Sequence, residues 1–142
     1  MKIIVDEDGI PHIYASSDED AFYAAGYQMA VDRLFQMDMT RRAALGRQSE
    51  VLGASSYEDD RLARLFRWRD AGRADAAEFK KQDPASYRLV VAWVEGVNRR
   101  IREVREGKAP LPHGFGPDRF DYAPGALGRN RPARRRENDR IW

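Results

Sequence analysis

Few side chains here have the types and spacing for chemistry. Asp32-Arg33 is expected mid-helix in a largely apolar stretch, and Asp38 precedes Arg41-Arg42 by three and four residues. On a helix that spacing pairs a carboxylate with guanidiniums at i,i+3 and i,i+4. A charge buried without a partner is costly. Both groups are therefore expected to join an ion-pair network that fixes packing between helices. The serines Ser16, Ser17, Ser49, Ser55, Ser56 and Ser86 all fall at expected caps or turns, and no Gly-x-Ser-x-Gly elbow is present. An N-terminal nucleophile needs Ser, Thr or Cys first in the chain, so that its own amine can act as base. This chain opens Met1-Lys2, so it is not expected to act alone as a hydrolase of that kind.

Metal and phosphate chemistry find less support. His12 and His113 lie about a hundred residues apart, there is no cysteine, and no pair has ligand spacing. Both histidines are read as structural or surface residues. Gly114-Phe-Gly116 opens no helix pattern, so it is not a dinucleotide loop. The arginines at 134–136 could meet phosphates, but no aromatic residue interleaves with them before Trp142, which disfavours a stacking platform.

The elements that would position these groups follow from periodicity. Lys2–Val5 and His12–Ala15 flank Asp8-Gly9 and read as a hairpin, with Pro11 at a strand start or edge. Ser17 caps a helix, Asp20 is placed to reach back to it, and Gly46 ends it. Phe22, Met29, Ala30, Leu34, Met37 and Ala44 form its apolar stripe. Tyr23, Tyr27, Val31 and Phe35 widen that stripe, so its first half is expected to be buried on most sides. Ser49–Leu52 is a short segment closed by Gly53. Ser55-Ser56 is expected to cap a helix running through Leu65, Phe66 and Trp68 to about Phe79. Asp83-Pro84 caps another, whose seam is Tyr87, Val90, Val94, Val97, Ile101 and Val104. Gly107 and Pro110 stop it, and a loop rich in Pro, Gly and aromatics runs on to Pro124.

At 142 residues, 42% hydrophobic and 34% charged, the chain has room for at most one thin-cored domain. No run is long and apolar enough to span a bilayer, and Met1–Val5 is too short for the apolar part of a signal peptide. The net charge of +2 conceals an asymmetry. Residues 125–142 hold six arginines against Glu137 and Asp139, so residues 1–124 are net acidic. The expected organisation is a helical segment with N-terminal strands over 1–124 and an Arg-rich, disordered tail over 125–142.

Asp8-Gly-Ile-Pro-His-Ile-Tyr14, Gly26-Tyr-Gln-Met-Ala-Val-Asp-Arg-Leu-Phe-Gln-Met37 and Arg41-Arg-Ala-Ala-Leu-Gly-Arg47 follow one another in order. Glu50-Val-Leu-Gly53, Val94-Glu-Gly-Val-Asn98, Leu111-Pro112 and Phe115-Gly116 come after them. From Ile4 to Pro124 this series resembles the N-terminal part of the α chain of the penicillin acylase (penicillin amidase) family of N-terminal-nucleophile hydrolases. The resemblance implies a mainly α fold with a short N-terminal β-hairpin, the α-chain portion of an αββα sandwich. It implies a zymogen cleaved into a heterodimer, with the nucleophilic serine first on a catalytic β chain that is this chain's partner. Side-chain amides are the implied substrates: those of β-lactam antibiotics, acyl-homoserine lactones or lipopeptides.

None of the family's catalytic residues falls in the matched stretch, so no catalytic, substrate-binding or metal site residue is assigned to this chain. It needs no cofactor of its own, while calcium in the full enzyme and a periplasmic or secreted location are implied by resemblance. The family's pocket-lining helix would follow Tyr122-Ala-Pro124, where this sequence turns polar and Arg-rich. That departure points to a truncated or frame-shifted segment, which translation of the other two reading frames past Pro124 tests. The alternative is a stand-alone helical interaction module whose basic tail touches nucleic acid. No membrane partner is expected.

Overall fold

The computed structural model describes residues 1–117 and 119–127; of the tail predicted over 125–142, residues 128–142 lie outside the described residues. Strands β1 (Lys2–Val5) and β2 (Pro11–Tyr14) pair antiparallel, with Val5 opposite Pro11 and Lys2 opposite Tyr14. The Asp6 carboxylate accepts from the Asp8 and Ile10 amides, and Gly9 supplies the positive φ the turn needs. Proline opens β2, where its missing N–H costs no central ladder bond.

Helix α1 (Asp18–Leu45) starts where Ser17 stands extended and its Oγ accepts from the Asp20 amide at 3.2 Å. The Asp20 side chain does not reach back to Ser17; it accepts from the Ser16 hydroxyl instead. Gly46, at φ 63° and ψ 49°, ends the helix. The Gly46 amide bonds Ala43 O and the Arg47 amide bonds Arg42 O, a Schellman closure. The expectation that the first half of α1 is buried on most sides does not hold. Its buried residues there are small, Ala24, Gly26 and Ala30, whereas Phe22 and Met29 are exposed. Small residues let a second helix come close, and the larger ones are left on faces this chain does not cover. Arg33 leaves helical geometry at φ −143°, a kink that no proline or glycine announces.

Beyond α1 come α2 (Ser49–Leu52), a 3-10 turn at Ala54–Ser56, α3 (Tyr57–Leu65), α4 (Trp68–Gln82) and α5 (Pro84–Arg105). The single helix expected from Ser55-Ser56 to Phe79 is two. Arg67 adopts φ 56°, ψ 37° between α3 and α4, a left-handed conformation the sequence does not advertise because glycine and asparagine are its usual occupants. Ser56 does not cap α3 with its side chain; the 3-10 turn leads in, and the Tyr57 amide bonds Ala54 O. Asp83 does cap α5, accepting from the Ser86 amide, with Pro84 in the first turn.

The core forms where α1 meets α5. Ala30, Leu34, Val97, Ile101 and Phe115 make its buried centre, with Phe35, Met37, Trp93, Tyr122 and Leu127 packed around it. Of the predicted α5 seam, Val97, Ile101 and Val104 are buried and Val90 is exposed. The helices touch backbone to backbone at two glycines. A Cβ on Gly26 would lie 2.1 Å from Trp93 O, and one on Gly96 2.0 Å from Tyr23 O. The segment after α5, read as loop, supplies core: Phe115 is 1% exposed, and its ring meets Phe35 edge-on at 5.5 Å. Leu127 is held to α5 by both halves of the Asn98 amide, at 2.7 and 2.8 Å.

Candidate functional site

The densest polar constellation is built on Asp38, about two turns before the end of α1 and 3% exposed. Oδ1 accepts from Arg41 Nε at 3.1 Å and Nη2 at 2.5 Å. Oδ2 accepts from Arg42 Nε and from the Tyr122 hydroxyl, each at 2.9 Å. The Arg42 guanidinium also lies 4.9 Å from the centre of the Tyr122 ring. Its Nη1 continues to Glu50 on α2, which Arg47 grips with Nε and Nη2 at 2.7 and 2.8 Å. One buried carboxylate thus ties the end of α1 to α2 and to the loop after α5.

A second buried carboxylate, Asp60 on α3, caps α2 from outside. It accepts from the Gln48 amide at 2.7 Å, the Ser49 amide at 2.8 Å and the Ser49 hydroxyl at 2.5 Å. Arg64, one turn on, donates to Gly46 O at 2.8 Å. The turn after α1 is therefore clasped by α3 on both its amide and carbonyl sides.

Titration behaviour follows from these contacts. Burial pushes the Asp38 carboxyl upward, but the hydrogen bonds from Arg41, Arg42 and Tyr122 outweigh it and hold the group below its ordinary range. Asp60 is likewise opposed by burial and lowered by Ser49 and the Gln48 amide. The Tyr122 phenol is raised, first by burial and then by its bond to Asp38.

These carboxylates are engaged in structural contacts. Asp38 and Asp60 have their oxygens occupied and ionised, and Ser49 faces a carboxylate without an imidazole. His12 lies in β2 with Nε2 2.8 Å from Asp6, and His113 sits exposed in the loop after α5. Among the described residues no three His, Cys, Asp or Glu side chains are placed to hold a metal ion. The predicted network at Asp38, Arg41 and Arg42 is present. Asp32 and Arg33 do not belong to it. Both are exposed, and Asp32 accepts from Gln28 at 3.0 Å. Sequence reasoning missed Tyr122 and Asp60. Tyr122 is 84 residues from its partner Asp38, a separation no local pattern can bridge.

A model of the penicillin amidase family matches residues 1–127. The chain belongs to the penicillin amidase family. Penicillin G acylase of Escherichia coli is 37% identical over 127 residues, which is 85% of this chain and 15% of that protein. The acyl-homoserine lactone acylase QuiP of Pseudomonas aeruginosa is 33% identical over 103 residues, 72% of this chain and 12% of that protein. The solved thermostable penicillin G acylase from Alcaligenes faecalis superposes with a TM-score of 0.75 at 30% identity, covering 89% of this chain and 64% of that one. The chain thus spans about one seventh of the length of these two relatives. Penicillin amidases are processed two-chain enzymes with a catalytic β chain, and this mainly α chain with its N-terminal hairpin has the fold of part of such an N-terminal-nucleophile hydrolase. The motif residues that mark the family here, Gly26, Asp38-bound Arg41 and Arg42, Gly46 and Gly96, are engaged in helix contact, ion pairing and helix closure.

Proposed function

We propose that this chain is the α-chain-like, non-catalytic part of a penicillin-acylase-type amidohydrolase. It folds against a catalytic β chain whose first residue, a serine, is the nucleophile, and it supports one wall of the acyl pocket. The substrates are side-chain amides, either of β-lactam antibiotics or of N-acyl compounds such as acyl-homoserine lactones. The observation that carries this reading is the division of labour among the side chains. The polar motif residues Asp38, Arg41 and Arg42 are paired inside the chain, while large apolar residues of α1, α3, α4 and α5 remain uncovered. That is the pattern of a scaffold completed by a partner. Among the described residues no three acidic or histidine side chains are grouped to hold a calcium ion, and no step is assigned to one.

Co-expression with the β chain of the Escherichia coli penicillin G acylase, followed by hydrolysis of aryl-acyl and long-chain N-acyl amides, tests the proposal. Activity is expected only when both chains are present. A cooperatively melting monomer that ignores the β chain and binds DNA with steep salt dependence would instead support the interaction module.

A further inference from the structure

One buried charge is not explained by the packing of the described residues. Arg100 lies on α5 and is 9% exposed, with its Nε sealed from solvent without an acceptor. Among the described residues its guanidinium meets the neutral Tyr27 hydroxyl but pairs with no carboxylate within salt-bridge distance. The carboxylate one turn further on is already taken. Glu103 Oε1 accepts from Arg99 Nε at 2.5 Å, and Oε2 from the Tyr27 hydroxyl at 2.8 Å. Tyr27, on α1, faces the same cluster: its phenol is raised by burial and by Glu103, and drawn the other way by Arg100. Two guanidiniums therefore face one carboxylate, and of the two only Arg99 binds it. Buried charges are normally paired, and leaving one unpaired is among the more costly arrangements in a protein.

We propose that Arg100 is the seat for a carboxylate side chain of the catalytic β chain, an inference that rests on the two-chain reading above. The excess positive charge calls for one more anion. Arginine's planar fork matches a carboxylate with two parallel hydrogen bonds. The chain spans 15% of its Escherichia coli relative, so most of such an enzyme lies elsewhere and can supply an aspartate or glutamate.

The test uses the two-chain complex with the Escherichia coli β chain and compares wild type with Arg100→Met and Arg100→Lys. For Arg100→Met the Kd of the complex is expected to rise at least about tenfold, since removing one member of a buried charge pair at an interface costs that much or more. The 142-residue chain by itself should keep its helical signal and show an unchanged or higher Tm, because an unpaired buried charge is gone. An unchanged Kd overturns the proposal. So does a lower Tm of the chain alone, which would place the missing acceptor within the chain. Arg100→Lys is the second variant: it keeps the charge and loses the fork, so the Kd should rise several-fold with the Tm of the chain alone unchanged, and an unchanged Kd overturns the proposal. A wild-type chain that does not assemble at all removes the two-chain reading itself, an outcome separate from any effect at Arg100.

Discussion

Asp38 accepts four hydrogen bonds from three side chains, two of them cationic. Asp38→Asn removes the charge and leaves two guanidiniums facing an amide, so a loss of about 3 kcal/mol is expected in urea unfolding. The pH dependence follows from the direction of the shifts. Asp38 and Asp60 have folded pKa values below their unfolded ones, so the unfolded chain binds more protons in acid. Their stabilisation is complete above the unfolded value of about 4 and is lost as pH falls through the folded values. Asp38→Asn should therefore flatten the acid limb of the stability curve, and an unaltered limb would contradict this assignment. Tyr122 behaves oppositely, because its folded pKa is raised. Its contribution is intact below the unfolded value of about 10 and is lost as pH rises beyond it. Tyr122→Phe should cost about 2 kcal/mol at neutral pH, through the unfilled position on Asp38, and should remove part of the alkaline loss. The pairing of Asp38 with Arg41 and Arg42 was legible because it is local, three and four residues apart on a helix. The Tyr122 hydroxyl was not, because only the return of the chain after α5 brings it there.

At the scale of elements, the contact between α1 and α5 depends on having no side chain at two points. Gly26→Ala would put a Cβ 2.1 Å from the Trp93 carbonyl oxygen, and Gly96→Ala one 2.0 Å from that of Tyr23. Backbone cannot swing aside as a side chain can, so the helices must separate. Each substitution is expected to cost about 3 kcal/mol, at the upper end for overpacking. Gly72→Ala is the control. It lies within α4 with nothing inside 4 Å of its Cβ, so the better helix propensity of alanine should stabilise by about 1 kcal/mol. Shifts of urea midpoint in the same direction for all three would refute the contact argument. Element ends that carry a chemical signal could be read directly: Ser17, Gly46 and Asp83-Pro84 each stop or start a helix as their side chains or backbones dictate. The breaks at Arg33 and Arg67 could not, because both residues adopt backbone conformations that arginine does not signal. The burial of Phe115 was also hidden, since a Pro- and Gly-rich loop usually runs over a surface.

For the whole molecule, the question is what covers the apolar residues that α1 and α5 leave outside. Leu65 and Phe66 are 65% and 62% exposed, and Trp68 stacks on Phe66 with ring centres 6.1 Å apart at the left-handed turn. Phe22 and Met29 on α1 and Val90 and Val91 on α5 are exposed as well. Water disfavours apolar surface of this extent, and a chain without its partner can cover it only with another copy of itself. The isolated chain is therefore expected to self-associate, with a sedimentation coefficient that rises with concentration. The driving force can be separated from charge. Association through these side chains should persist or strengthen in high sulfate, whereas association through ion pairs should weaken as salt screens them. Phe66→Ser combined with Trp68→Ser should reduce self-association without loss of helical signal, because neither ring belongs to the buried cluster around Ile101 and Phe115. A wild-type chain that sediments as one sharp monomer at all concentrations would show that these surfaces tolerate water, and would remove the main physical reason for expecting a second chain.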